Sequence, residues 1–536
     1  MLRSTFLGFR TATSALKVNQ SIMDVVGQNM SNINTSGYTR QRLDINSVAF
    51  NTRDIKYGPT GVVIGQGVQA NGVSQYRDEF LDLRYRLQAA KAGSEEVQLE
   101  ALNDLESVMD EISTEKLEGQ FSDLLAQLHS LASSPSDPVM EGVVRTSAQM
   151  LTQMLNNYSQ QINTIGDQQL EYLRDGALVK VNQLMDNIAK LNKQIRNDNI
   201  SGNPALELND QRNMLIDELS SYLDIEVVVT PESIGGGKTV DVLSIELKGS
   251  DDGSVPKKNI KLVDNDKHAT LAMNDTITDK VALKLTDTEG KNFDDADFNS
   301  NIKGGQIEGY LKFLNGKGDF ATSATDPFEN AKGVLYFESM LDTLAQKFAE
   351  EMNELNTEAT KFDADGNPIF GADGKLEDGI LKPLFEARDK SGKITAGNIK
   401  ISDDWANAAG SYITNTIKKH TGDGTGAVDN ILRMVSKFGS KETFETSASK
   451  PLFEGNFQEF LTYTISRLNL HKNDVQTSYD TYAESQYQLD YARSSMSSVD
   501  LNEEGVNLLQ YSKSYNAAAK LMTTLDEMLD TLINRM

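Results

Sequence analysis

The sequence predicts a mainly α protein with β-rich inserts, in which paired N- and C-terminal helices form a coiled-coil-like unit. Three observations predict this fold class. Apolar residues recur at helical spacing at both ends of the chain, the region 80–223 keeps helical spacing almost throughout, and from residue 225 the period changes to that of strands. We therefore expect a long helical bundle that carries outer β and mixed domains between the two paired ends.

The first apolar stripe lies within residues 1–42. Its side chains recur at intervals of three, four and seven, which keeps them on one face of a helix. Thr13, Gln20 and Gly27 interrupt this face, so we expect several neighbours to cover it rather than one partner helix. The candidate assembly residues of this stripe are Leu2, Phe6, Phe9, Leu16, Met23, Met30 and Ile33.

A matching stripe lies within residues 506–536, after two glutamates whose charge suits the positive end of a helix dipole. A lone stripe of this kind is usually the buried face of an ordinary core helix. Two matched stripes at opposite ends of one chain favour instead a pair that meets and takes part in assembly. The candidate assembly residues here are Leu508, Tyr511, Tyr515, Met522, Leu525, Leu529 and Leu532.

Between these stripes the pattern divides the chain. Residues 43–48 alternate like a strand, Asp137-Pro138 is a typical helix start within the bundle region, and strand spacing begins at Ile225. Helical spacing returns near residue 337 and again from 457. The predicted domains are a terminal helical assembly domain with its connector (1–75 with 495–536), a helical bundle domain (76–225 with 451–494), a β-rich insert (226–333) and a helix plus mixed outer segment (334–450).

Two motifs near the ends resemble those of bacterial flagellar axial proteins. Residues 32–41 read Asn-Ile-Asn-Thr-Ser-Gly-Tyr-Thr-Arg-Gln and end in the form typical of the hook-associated protein 1 (FlgK) family, and residues 498–509 with 511–520 are similar to the C-terminal motif of that family. The resemblance covers about the first 225 and last 80 residues. Its signature residues are Asn34, Thr35, Gly37, Tyr38, Arg40 and Gln41.

Composition restricts the classes of partner. A formal charge of −26 argues against nucleic acid or an anionic membrane as the main partner, since both repel such a surface. The chain has no cysteine, which removes disulfides and thiol chemistry. No stretch reaches the roughly 18 apolar residues of a membrane span, and residues 1–17 lack the apolar core of a cleaved signal peptide.

The sequence gives little support to catalysis, so we expect no enzyme, no cofactor and no metal site. Its four histidines are scattered, and no pair of carboxylates stands out. Gly65-Gln66-Gly67-Val68-Gln69-Ala70 imitates a dinucleotide-binding loop, but Asn71 and Gly72 interrupt where its helix should begin. Gly236-Gly237-Lys238-Thr239 imitates the end of a phosphate-binding loop, but Glu232 stands where that motif needs its first glycine, and strand-like residues follow. Asp363, Asp365 and Asn367 lack the glycine and glutamate spacing of a calcium-binding EF-hand loop, so turn formation explains them better.

The resemblance implies a structural component of the bacterial flagellum at the hook-filament junction, which polymerises through its paired terminal helices. It further implies export from the cytoplasm by the flagellar type III system without a cleaved signal peptide, and an extracellular location. The implied partners are other copies of the chain, the flagellar hook protein, hook-associated protein 3 and a cytosolic export chaperone, with no nucleic acid and no stable membrane insertion.

Two alternatives remain open at this point. Another flagellar axial protein of the hook or rod type shares the element from Asn34 to Tyr38. A peripheral membrane protein could use an N-terminal amphipathic helix as its anchor, because Arg3, Arg10 and Lys17 lie opposite the apolar stripe.

Overall fold

The computed structural model describes residues 5–48, 65, 67–113, 117–135, 137–235, 238–247, 260–278, 280–293, 298–299, 302–323, 326, 328–371, 375–390, 392–408, 410–419, 427–446 and 450–534. The side chains of residues 5–7, 110–113 and 238 are not included in this description. Within these residues the fold is the mainly α architecture that the sequence predicts, with small antiparallel sheets between long helices.

The N-terminal region forms one long helix and a two-stranded hairpin. Helix α1 spans Thr5–Ser31, strand β1 spans Gln41–Ser47 and strand β2 spans Val68–Gln75. The strands pair antiparallel. The hairpin lies along α1, because the Val68 amide donates a hydrogen bond to Ser14 Oγ at 3.3 Å.

Within the described part of 79–222, the chain forms five helices and one π-helical turn. These elements are α2 Glu79–Ser113, α3 Leu117–Ser133, α4 Pro138–Glu171, the π turn Tyr172–Ala177, α5 Leu178–Ser201 and α6 Leu206–Tyr222. The predicted helix start at Asp137-Pro138 is confirmed. The Asp137 side chain accepts a hydrogen bond from the Val139 amide at 2.9 Å, and Pro138 occupies the first helical position, where its missing N–H costs nothing.

The π-helical turn joins α4 to α5 without breaking the helix. Helix α4 packs on α3, whereas α5 packs on α6 and on the strands that follow. A π turn holds more residues than an α turn, so it rotates the apolar face of the helix beyond it. The turn therefore lets one continuous helical rod pack against two different sets of neighbours.

From Ile225 the chain forms strands, as the change of period predicts. The strands are β3 Ile225–Gly235, β4 Lys238–Leu247, β5 Ile260–Asp264, β6 Lys267–His268, β7 Thr270–Met273, β8 Leu283–Thr286 and β9 Asn292–Phe293. Strands β3 to β6 form an antiparallel sheet in chain order, and β7 to β9 form a second one. Ile225 and Ile245 are buried in the core of the bundle, so the first sheet covers it.

The region after the sheets mixes helices with short strand pairs. Its elements are α7 Gly305–Asn315, a 3₁₀ turn Gly318–Phe320, α8 Val334–Leu355, β10 Thr357–Glu358, β11 Ile380–Leu381, β12 Phe385–Ala387, β13 Ile399–Ile401, α9 Asp403–Ala406, α10 Asp429–Gly439, β14 Glu442–Glu445 and β15 Pro451–Gly455. The Asp363 carboxylate accepts hydrogen bonds from the Asp365 and Asn367 amides at 3.0 and 2.8 Å, as the predicted turn requires.

A buried carboxylate attaches this mixed region to the bundle. Glu141 on α4 is 1% exposed, and its Oε1 accepts hydrogen bonds from Trp405 Nε1 at 3.1 Å and from the Tyr412 amide at 2.8 Å. Its Oε2 accepts a hydrogen bond from Ser411 Oγ at 2.7 Å. Because Trp405 lies on α9 and Ser411 and Tyr412 follow it, these hydrogen bonds to Glu141 attach α9 and the loop after it to α4.

Two long helices close the chain. Helix α11 spans Phe457–Ser497 and helix α12 spans Leu501–Asn534. A capping box opens α11, because the Asn456 side chain accepts from the Glu459 amide and the Glu459 side chain accepts from the Asn456 amide. Helix α11 then packs along the full length of α2 in the opposite direction.

One apolar core joins the bundle, the sheets and the mixed region. Its centre is a group of aromatic rings from three helices: Phe121 on α3 lies 5.4 Å from Phe348 on α8 and 6.3 Å from Phe457 on α11, measured between ring centroids. A much smaller apolar cluster, centred on Val18, Ile22 and Val26, holds the terminal helices. The two ends therefore depend far less on apolar burial within the single chain than the centre does.

Candidate assembly site

Helices α1 and α12 lie side by side in opposite directions and form what we call the terminal pair. Near the start of α1, Gly8 approaches Leu525 so closely that a Cβ placed there would lie 3.0 Å from Leu525 Cδ1. Thr13 Oγ1 lies 3.8 Å from Met522 Sδ, and further along α1 the buried cluster contacts Leu508. The predicted pairing of the two ends is confirmed.

The predicted assembly residues fall on two kinds of surface. Most are half-buried: Phe9, Leu16, Met23, Met30, Leu508, Tyr511, Tyr515, Met522, Leu525 and Leu529. Ile33 and Leu532 are exposed, and the side chains of Leu2 and Phe6 lie outside the described residues. Leu525 and Met522 contact α1, and Met30, Leu508 and Tyr511 pack against the apolar cluster of the pair.

The sequence reasoning missed the buried apolar residues of α1, which are Ala12, Val18, Ile22 and Val26 among the described side chains. Val18, Ile22 and Val26 pack against Leu43 and Val68 of the hairpin as well as against α12. A helix that is covered by two neighbours buries a wider face than a two-stranded coil does. Their spacing of four residues is a helical signal that the sequence does contain. The hairpin that packs on this side of α1 is what buries them.

A second apolar surface on α12 is left open to solvent. Val506, Leu521, Met528 and Leu532, which we call the outer flank, are between 48% and 62% exposed. At about 100° per residue Val506, Leu521 and Met528 lie on one side of the helix, although Val506 is about 22 Å from Leu521 along the axis. Leu532 lies seven residues after Leu525 and so borders the side that meets α1. Large exposed apolar side chains on one side of a helix mark this flank as a candidate contact surface.

The signature motif forms a tight turn between α1 and β1. The Thr35 amide donates to the Asn32 carbonyl at 2.9 Å, and the Tyr38 amide donates to the Thr35 carbonyl at 3.2 Å. Gly37 has a φ of +74°, where a side chain is strained. Its position beside Met214 of α6 explains why glycine stands here, since a Cβ would lie 2.1 Å from Met214 Sδ. Asn34 and Ser36 are exposed.

Arg40 connects the signature to the start of α12. Its Nη1 and Nη2 donate to the two carboxylate oxygens of Glu503 at 3.0 and 2.8 Å, and its Nε donates to Glu504 Oε1 at 2.7 Å. The Arg40 amide also donates to the Ser497 carbonyl at 2.8 Å. The hydrogen bond to Glu503 is the main cause that raises the pKa of Arg40 above its ordinary value. The planar guanidinium of arginine can donate to both carboxylates at once.

Thr39 and Gln41 connect the signature to helix α6 of the bundle. The Thr39 amide and Oγ1 donate to the two oxygens of Asp210 at 2.9 and 2.7 Å, and Gln75 Nε2 donates to the same carboxylate at 2.9 Å. Gln41 Nε2 donates to Glu207 Oε1 at 3.1 Å. Burial raises the pKa of Asp210, and the hydrogen bonds from Thr39 act in the opposite direction.

Tyr38 completes the turn from the side of α1. Its hydroxyl donates to Asn29 Oδ1 at 3.0 Å, and the Gln41 amide donates to the same oxygen. Burial, followed by the negative charge of Glu207 and other nearby carboxylates, raises the pKa of Tyr38 to about 12. Tyr38 is therefore a neutral hydrogen-bond donor throughout the physiological range of pH.

A group of ion pairs next to the turn holds three helices of the bundle. Arg493 on α11 pairs with Asp217 on α6 at 2.5 Å and with Asp82 on α2 at 3.4 Å, and Arg86 pairs with Asp217 at 2.7 Å. The Arg493 guanidinium also lies over the ring of Tyr85, 4.1 Å from its centroid. The signature turn thus contacts a part of the bundle that ion pairs, as well as apolar packing, hold together.

The signature turn predicts the effect of one substitution. Gly37→Ala should reduce the amide-exchange protection of Thr39 and Gln41 by about 1 to 2 kcal/mol, because alanine at positive φ is strained by this amount. Gly37→Asn should lose less amide-exchange protection than Gly37→Ala, since asparagine tolerates a positive φ better than alanine does. Both variants are compared in a Met214→Ala background, which removes the contact with Cβ. Equal losses for the two substitutions would contradict the conformational explanation.

A cleft of about 700 Å³ lies between the turn, α6 and α11, and its lining includes Thr35, Met214, Asp217, Arg493 and Ser497. Among the described residues, no group of three or more histidine, aspartate or glutamate side chains could hold a metal ion.

Three family profiles match parts of the chain. The profile described as the helical domain of the flagellar hook-associated protein FlgK matches residues 102–371, which is half of the chain. A profile described as flagella basal body rod protein matches residues 9–39. A profile described as the C-terminal part of the flagellar basal body rod FlgEFG protein matches residues 493–536. The two rod profiles therefore cover the two helices of the terminal pair and the signature turn.

Curated relatives match over the whole length. The flagellar hook-associated protein 1 of Bacillus subtilis (strain 168) is 27% identical over 548 residues, covering 100% of this chain and 99% of the relative. The protein of the same name from Salmonella typhimurium is 24% identical and covers 98% of each chain. A solved structure, that of the flagellar hook junction protein FlgK from Burkholderia pseudomallei, has a TM-score of 0.52 at 13% identity, over 77% of this chain and 100% of that one.

Proposed function

We propose a function from one premise, which is that this chain belongs to the family of the flagellar hook-associated protein FlgK. It is a structural component of the bacterial flagellum at the hook-filament junction. The family is one of structural flagellar proteins, and the scattered histidines and the lack of cysteine support a role without catalysis.

The proposed mechanism is polymerisation through the terminal pair. The observation that carries it is the outer flank of α12, which exposes a row of large apolar side chains in the single chain. Burying such a side chain gains about 1.5 to 3 kcal/mol, so a neighbouring copy that covers the flank would stabilise the assembly at every subunit. The predicted assembly residues between α1 and α12 would then set the shape of the surface that each copy presents.

The partners and the route to the assembly are proposals that follow from the family. The chain would contact other copies of itself, the hook protein and hook-associated protein 3, and it would bind a cytosolic export chaperone before it leaves the cell. Export would use the flagellar type III system without a cleaved signal peptide, and the final location would be extracellular. Among the described helices, none combines the length and the apolar character that a membrane span requires.

The four-part division of the chain also remains a proposal. It assigns 1–75 with 495–536 to assembly, 76–225 with 451–494 to the bundle, 226–333 to a β-rich insert and 334–450 to an outer segment. The separate small cluster of the terminal pair supports the first boundary. Helix α8 opens the outer segment, and it is buried in the same core as the bundle.

One observation favours the alternative of a rod or hook-type protein, namely the two rod profiles at the ends of the chain. They cover only the terminal helices, whereas the FlgK profile covers the helical region that a rod subunit would not need. For the membrane-anchor alternative, Arg10 and Lys17 are exposed cations on α1. Liposome sedimentation of the full chain distinguishes it, since an anchor would give binding that falls with salt.

Deletion of the gene in its own bacterium tests the proposed function. Cells that lack the chain should build hooks without filaments and should release filament protein into the medium, and the intact chain should restore filaments. Electron microscopy of the cells and gel analysis of the medium are the measurements. A deletion strain with normal filaments would contradict the assignment to the hook-filament junction, and one without hooks would favour a rod or hook-type protein.

A further inference from the structure

One exposed face of α2 is apolar and basic. Phe80 and Leu83 are 63% and 49% exposed, although both side chains are large and apolar. Arg84 and Lys91 continue this face and are also exposed. Among the described residues, neither cation forms an ion pair; the Arg84 guanidinium lies over the ring of Phe80, and Lys91 lies near the ring of Tyr482. We call these four exposed residues the α2 face.

The exposed face of α11 at the same end of the bundle is aromatic and acidic. Tyr487 and Tyr491 are 65% and 68% exposed. Asp480 and Glu484 are exposed on the same side, and each accepts a hydrogen bond from a glutamine amide four residues away on the same helix. Neither carboxylate pairs with a cation in the part of the chain that the structure describes. We call these four residues the α11 face.

Leu83 of the α2 face and Tyr491 of the α11 face lie on opposite sides of the α2–α11 pair. The helices meet where the Arg493 guanidinium covers the ring of Tyr85. Leu83 comes two residues before Tyr85, and Tyr491 comes two residues before Arg493. Two residues correspond to about 200° of helical rotation, so Leu83 and Tyr491 both point about 160° away from the contact. Leu83 and Tyr491 therefore cannot contact each other within one chain, whereas Lys91 lies at the edge of the helix contact, beside Tyr482.

The two faces also lie at the same height along the helix pair. Gln486 Nε2 donates to the Tyr85 hydroxyl at 3.2 Å, and Arg493 reaches Asp82 at 3.4 Å, so this part of α11 lies beside the first turns of α2. Lys91 lies beside Tyr482, about half a turn from Glu484. A neighbour placed alongside without a shift along the helices would bring Leu83 to Tyr491 and Lys91 to Glu484.

We propose that the α2 face of one copy of this chain binds the α11 face of the next copy in the flagellar assembly. The occupant is a second copy, because the two faces complement each other in charge, in apolar character and in height. Glu79 is an exposed carboxylate one helical turn before Leu83, so it borders the α2 face on the side of Leu83. A contact between two unlike faces propagates from copy to copy, as a ring or a helical assembly requires.

The charge of the chain makes this local complementarity important. Each copy carries a formal charge of −26, so adjacent copies repel one another over most of their surface. A basic area that meets an acidic area reverses this repulsion at one place and fixes the orientation of the neighbour. This inference rests on the proposed function, since it describes how subunits of the junction pack side by side.

Disulfide trapping tests the proposal directly, because the chain contains no cysteine. The double variant Leu83→Cys with Tyr491→Cys is expressed in the deletion strain, and isolated flagella are treated with a mild oxidant and run on a non-reducing gel. A disulfide forms only when the two Cα atoms come within about 7 Å. We expect a ladder of dimers, trimers and larger species from the double variant, and dimers only from a mixture of the two single variants.

The outcomes separate this inference from the proposed function. If the double variant restores filaments but yields only monomer, the lateral contact is wrong and the junction function stands. If a single variant alone gives dimers, like faces meet and the proposal is overturned. If the intact chain itself fails to restore filaments, the proposed function is wrong.

Charge reversal gives a second measurement on the same faces. Arg84→Glu with Lys91→Glu should reduce incorporation of purified chain into hooks lacking it at least tenfold, and so should Asp480→Lys with Glu484→Lys. A one-to-one mixture of the two variants should restore incorporation, because each reversed face then has a reversed partner. Arg174→Glu with Lys193→Glu changes exposed cations elsewhere by the same charge and should incorporate normally. Failure of the mixture would overturn the pairing of these two faces.

Discussion

A lysine at Leu521 or Met528 should abolish assembly while leaving the fold of the single chain unchanged. Both side chains belong to the outer flank of α12 and are about half exposed, so the isolated chain loses few contacts when either is replaced. In the assembly each would be buried by a neighbour, where losing a large apolar side chain costs about 1.5 to 3 kcal/mol. Burying an unpaired lysine adds a further desolvation cost. The loss recurs at every subunit, so we expect no detectable incorporation.

Helix α12 offers a matched control on its other side. Asn516 and Thr523 are seven residues apart, as Leu521 and Met528 are, and they are also exposed. Thr523 lies about 160° and Asn516 about 140° round the helix from Leu521. Asn516→Lys and Thr523→Lys therefore add the same charge to the same helix without touching the outer flank. We expect both controls to assemble.

The measurement is the addition of purified chain to hooks that lack their own copy, which avoids any effect on export. Thermal unfolding of the central core is recorded in parallel and should shift by less than about one degree, since the terminal pair opens independently of that core. Normal incorporation of Met528→Lys would remove the outer flank from the assembly surface. Met522→Lys differs, because Met522 is half-buried and contacts Thr13 of α1, so this change should disrupt the pair itself. Tyr515 is also half-buried, and we expect the same of Tyr515→Lys.

Much of the fold could be predicted because it follows from local periodicity. The helices of 79–222, the first strand at Ile225 and the helix start at Asp137-Pro138 all express a spacing or a cap that a few neighbouring residues define. The pairing of the two ends could be predicted because both stripes have the same spacing. The π turn at Tyr172–Ala177 has no such signal, since a residue inserted into a helix leaves the helical pattern on either side intact.

The site was only partly predictable, because its contacts join distant parts of the chain. Arg40 and Glu504 are 464 positions apart, and Thr39 and Asp210 are 171 apart, so no local pattern relates them. Both Leu16 and Val18 lie on helical repeats within α1, and only the position of the hairpin decides that Val18 is the more buried. Sequence motifs therefore identified the signature residues, whereas the structure shows what each of them contacts.

Arg40→Ala should detach the start of α12 from the signature turn. Among the described residues, the Glu504 side chain is only 2% exposed and its Oε2 has no hydrogen-bond partner, so Arg40 is the cation that compensates this buried carboxylate. Removing one member of a buried pair costs about 3 to 5 kcal/mol, because the other charge stays buried without a partner. We expect amide-exchange protection in β1 and in the first turns of α12 to fall by this amount, and filaments to be lost.

The second carboxylate partner supplies the control for this prediction. Glu503 binds the same guanidinium, but its side chain is 56% exposed, so Glu503→Ala should cost less than about 1 kcal/mol. The double variant Arg40→Ala with Glu504→Ala should be more stable than Arg40→Ala alone, since it removes the uncompensated charge together with its partner. Arg40→Lys should recover only part of the stability, because an ammonium cannot bind both carboxylates in the planar geometry of the guanidinium. If Arg40→Ala proves no more harmful than Glu503→Ala, the buried pair with Glu504 does not hold the terminal pair to the turn.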